Sequence, residues 1–156
     1  MAEAPVRRLV LLVDATEDTR DLYGDWFFIR GFDVVATARD DLALLIAKAY
    51  RPDLVVTDLH AKGLDGLRLV HRIRSEADTC EIPILIMTVV TDPPLVVSLR
   101  AAGAEVVSKL GDFDVLERSI AALPPEPRAE DRERRQRPLG LSRMLHTPQS
   151  PAPPES

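Results

Sequence analysis

Pro52-Asp53-Leu54-Val55-Val56-Thr57-Asp58-Leu59 is the stretch whose reading decides the fold. Leu54 to Thr57 is an apolar and β-branched run without polar alternation, which describes a strand buried on both faces, as at the centre of a parallel sheet. Asp58 closes that run. In an open α/β sheet, ligands collect in the crevice outside the carboxyl ends of the strands, near the point where strand order reverses. A carboxylate there faces the crevice, so Asp58 is the first candidate for chemistry.

Outward from this strand, strands and helical spacing alternate five times. Arg8 to Val13 reads as an apolar strand, Asp18 to Arg30 as a helix with Leu22, Trp26 and Ile29 on one face, and Asp33 to Ala38 as a second strand. Asp41 to Tyr50 reads as a helix, Asp53 to Thr57 as the buried strand, Leu67 to Arg74 as a helix presenting Leu67, Val70 and Ile73, and Ile82 to Met87 as a fourth strand. Pro93 and Pro94 fit the first turn of a helix that runs to about Ala102 and ends at Gly103, because N–H groups in a first turn have no partner to lose. Glu105 to Ser108 gives a fifth strand, and Phe113 to Leu123 a last helix turning Val115, Leu116, Ile120 and Leu123 to the sheet. This alternation specifies an α/β fold, a doubly wound five-stranded parallel sheet with helices on both faces.

Composition divides the chain in two. Residues 1–123 hold 14 Lys and Arg against 20 Asp and Glu, whereas residues 124–156 hold 6 against 5 together with 8 of the 13 prolines. The first part reads as the folded domain. The second reads as a Pro- and charge-rich tail, whose low apolar content predicts disorder apart from a short turn at Leu139 to Leu145. An acidic body repels phosphate backbones, so no nucleic-acid partner is expected. The apolar stretches fall far short of the ~20 residues that cross a bilayer, so no membrane partner is expected either. With no leader segment and a single cysteine, Cys80, the expected compartment is cytoplasmic.

Five strands in this order bring Asp14, Asp58, Thr88 and Lys109 to one end of the sheet. Two carboxylates suit a hard divalent ion such as Mg²⁺, while a hydroxyl and an ammonium suit phosphoryl oxygens. Phosphoryl transfer asks mainly for such positioning and charge neutralisation, and Asp58 would be its nucleophile. Gly63 and Gly66 lack the Lys and Ser/Thr of a phosphate-cradling loop, and no nucleophile-elbow pattern appears. His60 has no Cys or His at metal-ligand spacing, so its side chain is expected to be exposed. His71 reads as a helix-surface residue, His146 as a tail residue without chemistry, and Trp26, Phe27 and Phe28 as packing.

Across roughly residues 7–122 the sequence resembles the response-regulator receiver family of two-component signalling. The residues that carry the resemblance are Val13-Asp14, the run Pro52 to Leu59, Asp65-Gly66, Ile82-Pro83-Ile84 to Thr88, Gly103-Ala104 and Lys109. It implies a flavodoxin-like (βα)5 fold, Asp58 as phosphoacceptor, Asp14 and the His60 backbone carbonyl as further Mg²⁺ ligands, Thr88 as switch hydroxyl and Lys109 as the phosphoryl-contacting cation. It also implies a switch rather than an enzyme. The donor would be a sensor histidine kinase or phosphotransfer protein and, with no DNA-binding module following, the output a contact with a downstream protein.

Some positions depart from the family pattern. Ala15 stands where a second acid is usual, which predicts weakened Mg²⁺ binding. Val106 replaces a common aromatic switch residue, Leu110 a proline, Lys62 another proline, and Val89 a smaller residue beside the crevice. Two functions follow: a single-domain response regulator phosphorylated on Asp58, or a degenerate receiver acting as a phosphorylation-independent interaction module. An aspartyl phosphatase of the haloacid-dehalogenase type is disfavoured, because that chemistry wants an Asp where His60 stands.

Overall fold

Strand residues whose side chains are apolar on both sides of the backbone must be covered twice, and the fold meets that demand with helices above and below one sheet. A computed structural model describes residues 7–61, 64–89, 92–109, 113–136 and 144–148. The parallel sheet comprises β1 (Arg8–Val13), β2 (Phe32–Thr37), β3 (Leu54–Asp58), β6 (Ile84–Thr88) and β7 (Glu105–Ser108), in the order β2-β1-β3-β6-β7. A short antiparallel hairpin, β4 (His60–Ala61) and β5 (Leu64–Asp65), follows β3. The helices are α1 (Glu17–Ile29), α2 (Asp40–Tyr50), α3 (Gly66–Ser75), α4 (Pro93–Ala101), α5 (Phe113–Ala121) and α6 (Ala129–Gln136).

The sheet sorts its side chains by the strand period of two. Leu9, Leu11, Val13, Val55, Ile84 and Ile86 face Ala43 and Ile46 of α2, Val70 and Ile73 of α3, and Leu99 of α4. Val10, Leu12, Val34, Val56 and Met87 face Tyr23 and Phe27 of α1 and Leu116 and Ile120 of α5. Burying one such aliphatic or aromatic side chain is worth roughly 1.5–3 kcal/mol, so the two layers supply the main driving force.

The predicted doubly wound sheet is therefore observed, with three differences of detail. First, α1 does not bury Leu22 and Ile29, which are 60% and 78% exposed. Its buried face is Tyr23, Gly24 and Phe27. Two apolar stripes compete on this helix, and the partner surface selects the one carrying Tyr23 and Phe27, with Phe27 set edge-on to Phe32 at 5.8 Å. Second, the fourth strand begins at Ile84, after Pro83, which has no N–H to give to a ladder, and extends to Thr88. Third, the tail carries a helix, α6, at residues 129–136, and residues 144–148 lie against the domain.

The composition argument weighed apolar burial, yet α6 docks by hydrogen bonds. The Arg135 guanidinium, with its side chain only 4% exposed, donates to the Tyr50 carbonyl at 3.2 Å, to the Arg51 carbonyl and to Asp53 Oδ2 at 2.8 Å. Arg134 donates to the Lys48 carbonyl. Together they occupy the carboxyl end of α2, where unpaired carbonyls and the helix dipole favour cations. Asp53 Oδ2 also accepts the Leu9 N–H at 2.7 Å, so one carboxylate joins β1, β3 and α6 at the amino end of the sheet. Of the turn predicted at Leu139 to Leu145, residues 139–143 lie outside the described residues, as do Lys62 and Leu110.

Candidate functional site

At the opposite end, β1 and β3 are neighbours from which the sheet continues in opposite directions, so their carboxyl ends form the crevice. Asp14 follows β1 and donates its N–H to the Thr37 carbonyl; Asp58 is the last residue of β3. Thr88 ends β6 and is buried, and its carbonyl accepts the Lys109 N–H at 3.0 Å. The strand ends thus deliver all four residues singled out in the sequence to one place.

The Lys109 ammonium joins the two carboxylates. Nζ lies 2.8 Å from Asp14 Oδ2 and 3.0 Å from Asp58 Oδ2, with the side chains of Lys109, Asp14 and Asp58 19%, 4% and 14% exposed. The other oxygens are held by the backbone: Thr16 N–H donates to Asp14 Oδ1 at 2.9 Å and Leu59 N–H to Asp58 Oδ1 at 2.7 Å. Burial opposes the charge on Lys109, but its hydrogen bonds to Asp14 and Asp58 outweigh that and raise its pKa above the ordinary lysine value. The Tyr23 phenol is also held up, by burial first, with Lys109 opposing and Asp14 adding to the shift.

Gly66 fixes the floor of the site. A Cβ there would collide with the Asp58 carbonyl oxygen and lie 2.9 Å from Leu59 Cα, so only glycine lets the start of α3 approach the strand end. Asp65 then caps α3 by accepting the Arg68 N–H at 3.0 Å. His60 begins the small hairpin, its backbone paired with Asp65. Ala15 adds no charge, and Glu17 and Asp18 are exposed in the first turn of α1.

Two contributors escaped the sequence reading. Arg20 donates to the Asp14 carbonyl at 2.7 Å, and Tyr23 stands one helical step further along α1 within the field of Lys109 and Asp14. Their i, i+3 spacing on the helix that follows Asp14 was the available signal.

A family model described as the response regulator receiver domain matches residues 10–121, which is most of the chain. This chain belongs to the response regulator receiver domain family.

Its curated relatives are larger. A protein-glutamate methylesterase/protein-glutamine glutaminase 2 from Anaeromyxobacter dehalogenans is 38% identical over 121 residues, covering 76% of this chain and 32% of that protein. A probable transcriptional regulator, ycf27, from Porphyridium aerugineum is 34% identical over 96 residues, covering 62% and 37%. The receiver spans about a third of each. Among solved structures, Vibrio cholerae chemotaxis protein CheY4 superposes with a TM-score of 0.70 at 23% identity, covering 76% of this chain and 100% of that one. The BeF3-activated N-terminal receiver domain of RstA from Klebsiella pneumoniae gives 0.66 at 23% identity, covering 73% and 96%. These likenesses establish the fold.

Receivers of this family generally bind Mg²⁺, generally act as non-enzymatic switches, and interact with histidine kinases or phosphotransfer proteins. The donor set here fits a hard cation in reduced form. Two carboxylates converge closely enough to share one ammonium, and Mg²⁺ accepts one or two carboxylates with water completing its shell. No cluster of three or more His, Cys, Asp or Glu side chains gathers at a metal-holding distance among the described residues. No helix among them is long and apolar enough to cross a membrane.

Proposed function

We propose that this receiver accepts a phosphoryl group on Asp58 from a phosphohistidine donor and signals by altered protein contact. The observation that carries the reading is the Lys109 ammonium held 3.0 Å from Asp58 Oδ2 while Asp14 grips it from the other side. An Asp58 oxygen attacks phosphorus, the P–N bond breaks with its electron pair left on the imidazole nitrogen, and an acyl phosphate remains. Lys109 then meets phosphoryl oxygens rather than the bare carboxylate, and Thr88, buried at the end of β6, is the switch hydroxyl.

Asp14, Asp58 and the His60 carbonyl would hold Mg²⁺, which supplies charge neutralisation when bound. Two carboxylates against one ammonium leave the site with a net charge of −1, so its pull on a divalent ion is weaker than Ala15 replaced by an acid would give. The same feature favours the second reading. Lys109 already balances half of the acidic charge, which suits a receiver that acts as an interaction module without phosphorylation. The division into a domain at 1–123 and an appended tail at 124–156, cytoplasmic residence and action as a single-domain regulator belong to this proposal too.

The test is intact mass after incubation with acetyl phosphate or a phosphohistidine protein at several Mg²⁺ concentrations, for the wild type and Asp58→Asn. A Mg²⁺-dependent gain of one phosphoryl group in the wild type alone supports the phosphoacceptor reading. No gain from either donor, with partner binding retained in both proteins, supports the interaction module.

A further inference from the structure

Residues 144–148 lie along the outer edge of β2. An edge strand offers unpaired N–H and C=O groups that another extended segment can complete. Here Leu145 pairs antiparallel with Val35, and the His146 N–H donates to the Val34 carbonyl at 2.6 Å. Met144 and Leu145 pack against the layer that contains α2. The His146 ring crosses to the other side of the edge and lies over α1, its Nε2 2.5 Å from Asp25 Oδ1 and its side chain 8% exposed.

Gly24 is the notch that admits the ring. A Cβ at Gly24 would meet three His146 ring atoms at 2.9, 2.9 and 3.0 Å. Gly24 has ordinary helical backbone, since the positive-φ glycines among the described residues are Gly31 and Gly103. A helix interior favours Ala over Gly, so α1 itself does not call for glycine here; the seated ring does.

We propose that the groove between the β2 edge and Gly24-Asp25 is a peptide-binding surface specific for an extended segment with an apolar residue followed by histidine, and that residues 144–148 fill it as an intramolecular latch. Three independent features read the segment: backbone pairing with Val34 and Val35, apolar contact for Leu145, and a carboxylate-lined notch for the His146 ring. This is strand addition with side-chain pockets, the mode that combines main-chain affinity with sequence selectivity. A tethered segment competes at an effective concentration on the order of millimolar, so the same segment of a second copy enters only when the latch is weakened.

The test uses the full chain and a fluorescein-labelled peptide spanning residues 142–149. His146→Ala, which weakens the latch but leaves the groove, should bind the peptide at least ten-fold more tightly than the wild type in anisotropy titrations. Adding Gly24→Ala should abolish that binding while circular dichroism shows an intact fold. In the wild type the His146 amide should exchange slowly with solvent deuterium. The proposal is overturned if His146→Ala shows no saturable binding, if Gly24→Ala leaves the binding unchanged, if the wild type binds the peptide as tightly as the variant, or if the His146 amide exchanges at the rate of a free peptide.

Discussion

Replacing Lys109 by Met removes the cation while keeping a side chain of similar length, and leaves Asp14 and Asp58 facing each other. Each contact, at 2.8 and 3.0 Å, is worth about 6 kcal/mol of Coulomb attraction at an effective dielectric of about 20, before the cost of desolvating the ammonium is subtracted. The two carboxylate oxygens are no more than about 6 Å apart, so their repulsion in the variant is at least about 3 kcal/mol on the same scale. Breaking a buried pair typically costs about 3–5 kcal/mol, and with both acids partly backbone-bonded we expect about 3 kcal/mol at pH 7. Urea unfolding read from Trp26, the single tryptophan, measures it. Millimolar Mg²⁺ should narrow the gap at pH 7. A loss under about 1 kcal/mol refutes this account of the site as a two-acid, one-cation cluster.

Three further outcomes are expected. At alkaline pH, a Lys109 pKa above 10.5 means its stabilisation is complete below that pH and is lost as pH rises through the folded value. Tyr23, raised above 10.0, acts with the same sign, so thermal melts of Lys109→Met should retain only the Tyr23 part of the alkaline decline. Gly66→Ala should cost about 2–3 kcal/mol in urea unfolding, because its methyl collides with the Asp58 carbonyl, and should slow labelling of Asp58 by acetyl phosphate. Arg135→Ala should cost about 3 kcal/mol by the same unfolding assay, since the buried guanidinium donates to the Tyr50 and Arg51 carbonyls and to Asp53.

The sheet was legible because parallel strands buried on both faces must be written as unbroken apolar runs, and Leu9 to Val13, Leu54 to Thr57 and Ile84 to Met87 are such runs. The four crevice residues were legible for a related reason: strand ends are fixed by those runs, and each residue closes or follows one. The buried face of α1 was not, because Leu22, Trp26 and Ile29 make as good a stripe as Tyr23 and Phe27, and only the partner surface decides between them. The docking of α6 was hidden because most of its hydrogen bonds go to main-chain carbonyls at the end of α2, which leave no trace in side-chain composition. Gly24 and His146 are uninformative singly, being 122 positions apart, and acquire meaning only when the fold seats one on the other.

The bond between Arg135 and Asp53 also sets an order of events during synthesis. Its two residues are 82 positions apart, and at roughly 5–20 residues per second the carboxylate is made about 4–16 s before its guanidinium. Through that interval β1, β3 and α2 can assemble, but the Tyr50 and Arg51 carbonyls have only water to bind. The amino end of the sheet therefore receives its last hydrogen bonds only with Arg135, after Lys109, the partner of Asp14 and Asp58, has already been made.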